Sequence, residues 1–190
     1  MTEPASARAV RSREKLLRAA TTLLVDSGPR AVTVDAVAEV SGVAKSTLYR
    51  HWSSRDEMLV DVVRCNMPDI TAPDLSAGFD IALREYLHDA AAAVGDPEWS
   101  RILPALMSLR TSMPDLAATV DADRVDKTAA LVGILDLGVR EGRLPESIDV
   151  DVASKLLFGP LLFAAITGDQ GDIHQLADHV VDRFVASYRT

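Results

Sequence analysis

The sequence predicts an all-α fold, an N-terminal helix-turn-helix three-helix bundle joined to a larger C-terminal helical domain. Apolar residues recur at helical spacing along nearly the whole chain. Gly and Pro clusters cut that pattern into pieces of helix length. No alternating strand or internal repeat interrupts it. The 190 residues, 48% apolar and 25% charged, suffice for one large domain or two small ones. That balance excludes disordered, collagen-like and disulfide-scaffold classes.

In chain order, residues 1–10 read as a flexible arm. The first helix is expected over 12–27, where Leu16, Leu17, Ala20, Leu23 and Leu24 share a face and Gly28-Pro29 ends it. Thr33 can cap a short helix reaching Val40, with Asp35 favourably placed in its first turn. Ser41-Gly42-Val43 breaks the chain before a helix over 44–52. Ser54-Arg55-Asp56-Glu57 is a capping box: Ser54 accepts from the Glu57 amide while Glu57 reaches back. It opens a helix to about Asn66. Pro68, Pro73 and Gly78 mark 67–77 as a linker. Helices then follow near 79–94, 98–110, 115–141, 152–167 and 173–188, and Pro104 and Pro160 are expected to kink or interrupt two of them. The domains divide as an arm over 1–10, a bundle over 11–56 and the remainder over 57–190.

The net charge of −8 speaks against a polyanionic partner only as an average. Residues 1–55 carry nine Lys or Arg against five Asp or Glu, a net of +4, and residues 56–190 carry −12. Such asymmetry suggests different partners for the two parts. The one cysteine, Cys65, cannot form an internal bridge and fits a reducing cytoplasm; it reads as inert or, with one thiol, as a redox sensor. The start lacks the apolar core of a secretory signal. The longest apolar run, 156–166, is 11 residues broken by Gly159-Pro160, too short for a bilayer of ~30 Å, and reads as a buried helix.

Residues 33–52 have the internal logic of a helix-turn-helix. A tight turn between two steeply crossing helices needs a positive φ, which Gly42 allows, and a small residue at the approach, which Ala38 supplies. Val37, Val43 and Leu48 fall on the inner face, and Leu48 and Trp52 read as packing residues. The second helix then shows Lys45, Ser46, Thr47, Tyr49, Arg50 and His51 outward, groups suited to phosphates and base edges in a major groove. Tyr49 could equally be a half-buried ring and His51 simply solvated.

These residues resemble the tetracycline-repressor (TetR) family of bacterial regulators. The resemblance runs from Ala20 and the first leucines through Gly28, residues 33–38 and Gly42-Val43-Ala44-Lys45-Ser46-Thr47-Leu48-Tyr49-Arg50-His51-Trp52 to Met58-Leu59. A weaker likeness to one type of regulatory domain in that family follows at Gly138-Val139-Arg140-Glu141-Gly142, Asp149, Gly159-Pro160-Leu161 and Thr167-Gly168. Trp52 stands where the family often has phenylalanine, and Ala164-Ala165 where relatives often carry a polar or basic residue. The resemblance implies a homodimer presenting two recognition helices to a near-palindromic operator in double-stranded DNA. Carried onto this chain, Lys45 and Ser46, with Tyr49 and Arg50, read bases; Thr47, His51 and Arg55 anchor phosphates. Thr33 sits where a helix N-terminus would meet a phosphate.

In the acidic remainder, the last helix carries a stripe of Ile173, Leu176, Ala177, Val180, Val181, Phe184, Val185 and Tyr188. The helix before it is apolar nearly all round. Together they suggest a four-helix dimer interface through Leu156, Leu161, Phe163, Leu176, Val180, Val181 and Phe184, against the alternative of an ordinary monomer core. Tyr86, Trp99, Leu103, Leu106, Met107, Arg110 and Phe158 could line an effector cavity or could be plain core, and Arg110 could instead pair with a carboxylate. His174, Asp178 and His179 read as a chance cluster rather than a metal site, since histidines five apart share a helix face poorly. No catalytic order, zinc spacing, phosphate loop or dinucleotide fingerprint is present. The expectation is a cytoplasmic, ligand-responsive repressor without cofactor, metal or membrane association, released by a hydrophobic small molecule. An activator or partner-responsive regulator is the alternative, and a helical enzyme the remote one.

Overall fold

The computed structural model describes residues 5–169 and 171–188. Among these residues the chain forms nine α-helices and no strand: α1 Ala5–Ser27, α2 Val34–Ser41, α3 Lys45–His51, α4 Arg55–Asn66, α5 Phe79–Gly95, α6 Pro97–Arg110, α7 Pro114–Arg140, α8 Val150–Thr167 and α9 Ile173–Ala186. Short 3₁₀ turns at Pro29–Ala31 and Leu75–Ala77 occupy two of the breaks. The all-α expectation holds.

Contacts gather the chain into two compact units, 1–67 with 101–119, and 68–100 with 120–190. The sequence division at 56/57 is therefore displaced, because α4 buries Met58, Leu59, Val62 and Val63 in the first unit's core. Helices α6 and α7 each carry residues of both units. The arm expected over 1–10 is helical from Ala5 onward, while 1–4 lie outside the described residues.

In the first unit, Leu16, Leu17, Ala20 and Leu24 of α1 are buried with Val37 and Ala38 of α2, Leu48 of α3 and Trp52. Thr33 caps α2, its hydroxyl accepting from the Ala36 amide at 3.1 Å. Gly42 ends that helix at φ 66°, a left-handed conformation that glycine adopts without steric cost. Ser54 caps α4 as expected, accepting from the Glu57 amide at 3.1 Å. Glu57 reaches back one residue further than the box predicts, to the amide and hydroxyl of Ser53, both at 2.7 Å.

In the second unit, α5, α8 and α9 pack together. Gly138 of α7 allows a close approach: a Cβ there would lie 2.7 Å from Phe79 and 2.8 Å from Leu144. One turn later Glu141 accepts from the Phe79 amide at 3.2 Å, capping an α5 N-terminus that no side chain of its own caps. Arg143 pairs with Asp80 at 2.7 Å in the same corner. The Gly138–Arg143 stretch is thus a clasp that seats α5 on the end of α7.

Pro104 and Pro160 interrupt neither helix; α6 and α8 run through them. The full α8 has 18 residues and is, by length and composition alone, apolar enough to cross a membrane, although the apolar run inside it, 156–166, is shorter. It is also not a buried helix. Ala153, Leu157, Leu161, Ala164 and Ala165 face inward, but Val152, Leu156, Leu162, Phe163 and Ile166 are exposed, Phe163 by 71%.

Candidate nucleic-acid interface

The α2–turn–α3 unit presents the face that the sequence predicts. Leu48 is buried and turns α3 inward, leaving Lys45, Ser46, Tyr49 and Arg50 exposed and Thr47 partly so. Tyr49 is 57% exposed, so it is no core ring. Lys45 is held by Asp35 of α2, Nζ to Oδ1 2.6 Å, and that hydrogen bond and charge raise its pKa above the ordinary lysine value. The pair is exposed to solvent, so it biases where the ammonium stands without locking it there.

Two of the expected phosphate anchors have structural duties. Arg55 donates from Nε to the Val32 carbonyl at 2.6 Å, from a terminal nitrogen to the Pro29 carbonyl, and from the other to Asp56 at 3.1 Å. It clamps the α1–α2 connection, and three of its five N–H groups are engaged there. His51 is half-buried, with Nε2 3.0 Å from the Ser12 hydroxyl. That hydroxyl also donates to the Ala9 carbonyl at 2.8 Å, which suits it to accept from Nε2–H. Burial first, then the charges of Arg13 and Arg50, push the imidazole pKa below its ordinary value. His51 thus packs against α1 in surroundings that disfavour its charged form.

Beneath α3 a polar network locks the helices. Trp52 Nε1 donates to Asp61 of α4 at 2.7 Å, and Arg13 of α1 reaches the same oxygen at 2.5 Å while lying 5.6 Å from the indole centroid. Burial opposes ionisation of Asp61, but the hydrogen bonds from Trp52 and Arg13, with the charges of Arg13 and Arg64, outweigh it and hold its carboxyl below the usual range. The indole N–H, which phenylalanine lacks, thus ties α3 to α1 and α4.

The seven residues expected around an effector belong to both units. Tyr86, Trp99 and Phe158 lie in the second unit, and Leu103, Leu106, Met107 and Arg110 in the first. Tyr86 and Phe158 meet edge-to-face at 5.9 Å. The Tyr86 hydroxyl donates to the Lys127 carbonyl at 2.7 Å, and burial, with the nearby charge of Asp123, pushes its pKa up to about 12. Trp99, Leu103 and Leu106 are buried, whereas Met107 and Arg110 are exposed. A groove of about 690 Å³ in the second unit has other walls, among them Pro73, Ile81, Arg84, Glu85 and His88.

The expected dimer residues also divide. Leu156 and Phe163 are exposed and Leu176 and Val180 half-buried, but Leu161, Val181 and Phe184 are buried within the chain. Their stripe faces the subunit's own core. Val152, Leu162 and Ile166 extend the exposed set, a surface that spacing from Leu156 along α8 could have revealed. His174 packs 5.2 Å from the His88 ring, and Asp178 accepts from Arg84 and lies 2.9 Å from His88 Nε2. His179 contacts the Gln175 carbonyl at 2.8 Å. Among the described residues no group of three or more such side chains is placed to hold a metal.

Two family models match the chain: "Bacterial regulatory proteins, tetR family" over residues 16–62 and "Tetracyclin repressor-like, C-terminal domain" over residues 80–184. The uncharacterized HTH-type transcriptional regulator YdeS of Bacillus subtilis is 28% identical over 182 residues, covering 89% of this chain and 86% of that one. The HTH-type transcriptional repressor KstR2 of Rhodococcus jostii is 26% identical over 150 residues, covering 76% and 74%. A TetR transcriptional regulator from Agrobacterium tumefaciens, 18% identical, shares the fold with a TM-score of 0.74 over 95% of each chain.

Proposed function

Because this chain belongs to the tetR family of bacterial regulatory proteins, we propose that it is a homodimeric transcriptional repressor that binds a near-palindromic operator and leaves it when a small hydrophobic effector binds. The observation that carries the reading is the outer face of α3, where Lys45, Ser46, Thr47, Tyr49 and Arg50 surround a helix anchored by buried Leu48 and Trp52. Lys45, Ser46, Tyr49 and Arg50 read bases. Thr47 and the capped start of α2 at Thr33 meet phosphates, while Arg55 and His51 hold the helices that present them. The relatives named as a regulator and a repressor support the same reading.

The exposed face of α8 through Val152, Leu156, Phe163 and Ile166, beside Leu176 and Val180 of α9, is the dimer surface, and a dimer sets the spacing of two half-sites at a turn of DNA. The reading places the protein in the bacterial cytoplasm and assigns it no catalytic step. The effector releases DNA by binding the DNA-incompetent arrangement more tightly, since equal affinity for both would shift nothing.

Fluorescence anisotropy of the full chain on duplexes selected from a random-sequence library tests this. Salt-sensitive preference for the selected duplex over a scrambled one is expected, with Lys45→Ala losing most of that preference. Equal binding of both duplexes by the wild type overturns the reading.

A further inference from the structure

The extension of α1 to Ala5 builds a surface that the helix-turn-helix alone does not have. Arg8, Arg11 and Lys15, at i, i+3 and i+7, lie along one wall of a groove of about 890 Å³ in the first unit. The other wall is the turn at Gly42–Ala44 with Thr47 and Arg50 of α3. Among the described residues no carboxylate lines it. This differs from the α2 side of the same helix, where Asp35 already holds Lys45. The cations along α1 span about 10 Å, close to the axial rise of three nucleotides of one strand.

We propose that the first turns of α1 form a phosphate track, in which Arg8 and Lys15, across the groove from Thr47, hold the DNA backbone beside the stretch that α3 reads. The proposal rests on the DNA-binding reading above and adds a second contact element to it. Backbone contacts position without carrying sequence, so this track strengthens binding to any duplex and sets the register in which Lys45 and Ser46 meet base edges.

The test compares wild-type chain, Arg8→Gln/Lys15→Gln, the charge-keeping Arg8→Lys/Lys15→Arg and Lys45→Ala, on the selected duplex and a scrambled duplex of equal length, across a salt series. Loss of two phosphate contacts in each subunit, four per dimer, lowers the log–log salt slope by about 3.6 in the Gln variant, with equal fold-losses on both duplexes. The charge-keeping variant restores the slope, which separates lost charge from lost fold. Unchanged slope and affinity in the Gln variant, while Lys45→Ala loses its preference, overturns the track and leaves the DNA reading standing. Loss confined to the selected duplex overturns it too, since the residues would then be reading bases. A wild type without salt-sensitive binding to either duplex overturns both.

Discussion

The two units display opposite surfaces. In the first, the exposed large apolar side chains Val10, Val40, Tyr49 and Met107 sit on four separate helices, whereas five in the second, Val152, Leu156, Leu162, Phe163 and Ile166, lie on α8 alone. Scattered apolar exposure is ordinary, but a continuous stripe implies something that covers it. The difference fits the two proposed partners: polar and cationic groups on the first unit suit a polyanion, and an uncovered apolar helix on the second suits another copy of the chain.

The comparison breaks most sharply at α8. Leu156→Asp with Phe163→Asp places charge on the proposed dimer surface without entering the core, since both residues are exposed. Analytical ultracentrifugation is expected to show a monomer. Affinity for a two-half-site duplex is expected to fall by about a hundredfold or more, because the second half-site contact is no longer intramolecular. A dimer that persists would move the interface elsewhere.

Gly138→Ala probes the second unit from inside. Its Cβ would stand 2.7–2.8 Å from Phe79 and Leu144, in a corner that Glu141 and Arg143 tie down, so the neighbours cannot yield freely. Overpacking there costs about 1–3 kcal/mol in urea unfolding. Lys45→Ala and Asp35→Asn then sharpen the first unit. The alanine variant is expected to lose about tenfold or more in preference for the selected duplex. Asp35→Asn releases the ammonium and removes a negative charge, so binding to scrambled DNA rises and the preference narrows. A higher preference in Asp35→Asn would show the pair to be inhibitory rather than positioning.

The first unit was far more legible in the sequence than the second. Its features are local: Thr33, Gly42 and Ser54 act within a few residues of themselves, and Leu48 against Tyr49 separates the two faces of one short helix. What the sequence did not show there was long-range, such as Arg55 turning back to the Pro29 and Val32 carbonyls and His51 to Ser12. The arm reading over 1–10 left Arg8 outside the first helix and so hid its i, i+3, i+7 spacing with Arg11 and Lys15. In the second unit, periodicity identifies which α8 and α9 residues are apolar but not which neighbour they face. The stripe through Val181 and Phe184 therefore read as an interface when it is core. The effector residues were chosen for bulk and, at Arg110, for polarity on an apolar helix, neither of which says which unit a residue packs in.

The smallest effect is one of pH, and it separates two roles for His51. As a strut, the ring is stabilising while neutral, because its folded pKa lies below the ordinary value near 6.5. The unfolded chain then binds the proton more readily, so stability is full above that ordinary value and falls as pH drops toward the lowered one. Asp61, also lowered, adds a second loss only below the ordinary carboxylate range. As a cationic phosphate anchor, by contrast, His51 would take up a proton on DNA, and affinity would rise between pH 7.5 and about pH 6. The strut predicts no such rise at fixed salt, a melting temperature that declines modestly over that interval, and a flatter decline in His51→Gln. An affinity that climbs on acidification, and stops climbing in His51→Gln, would return this histidine to the DNA-contacting face.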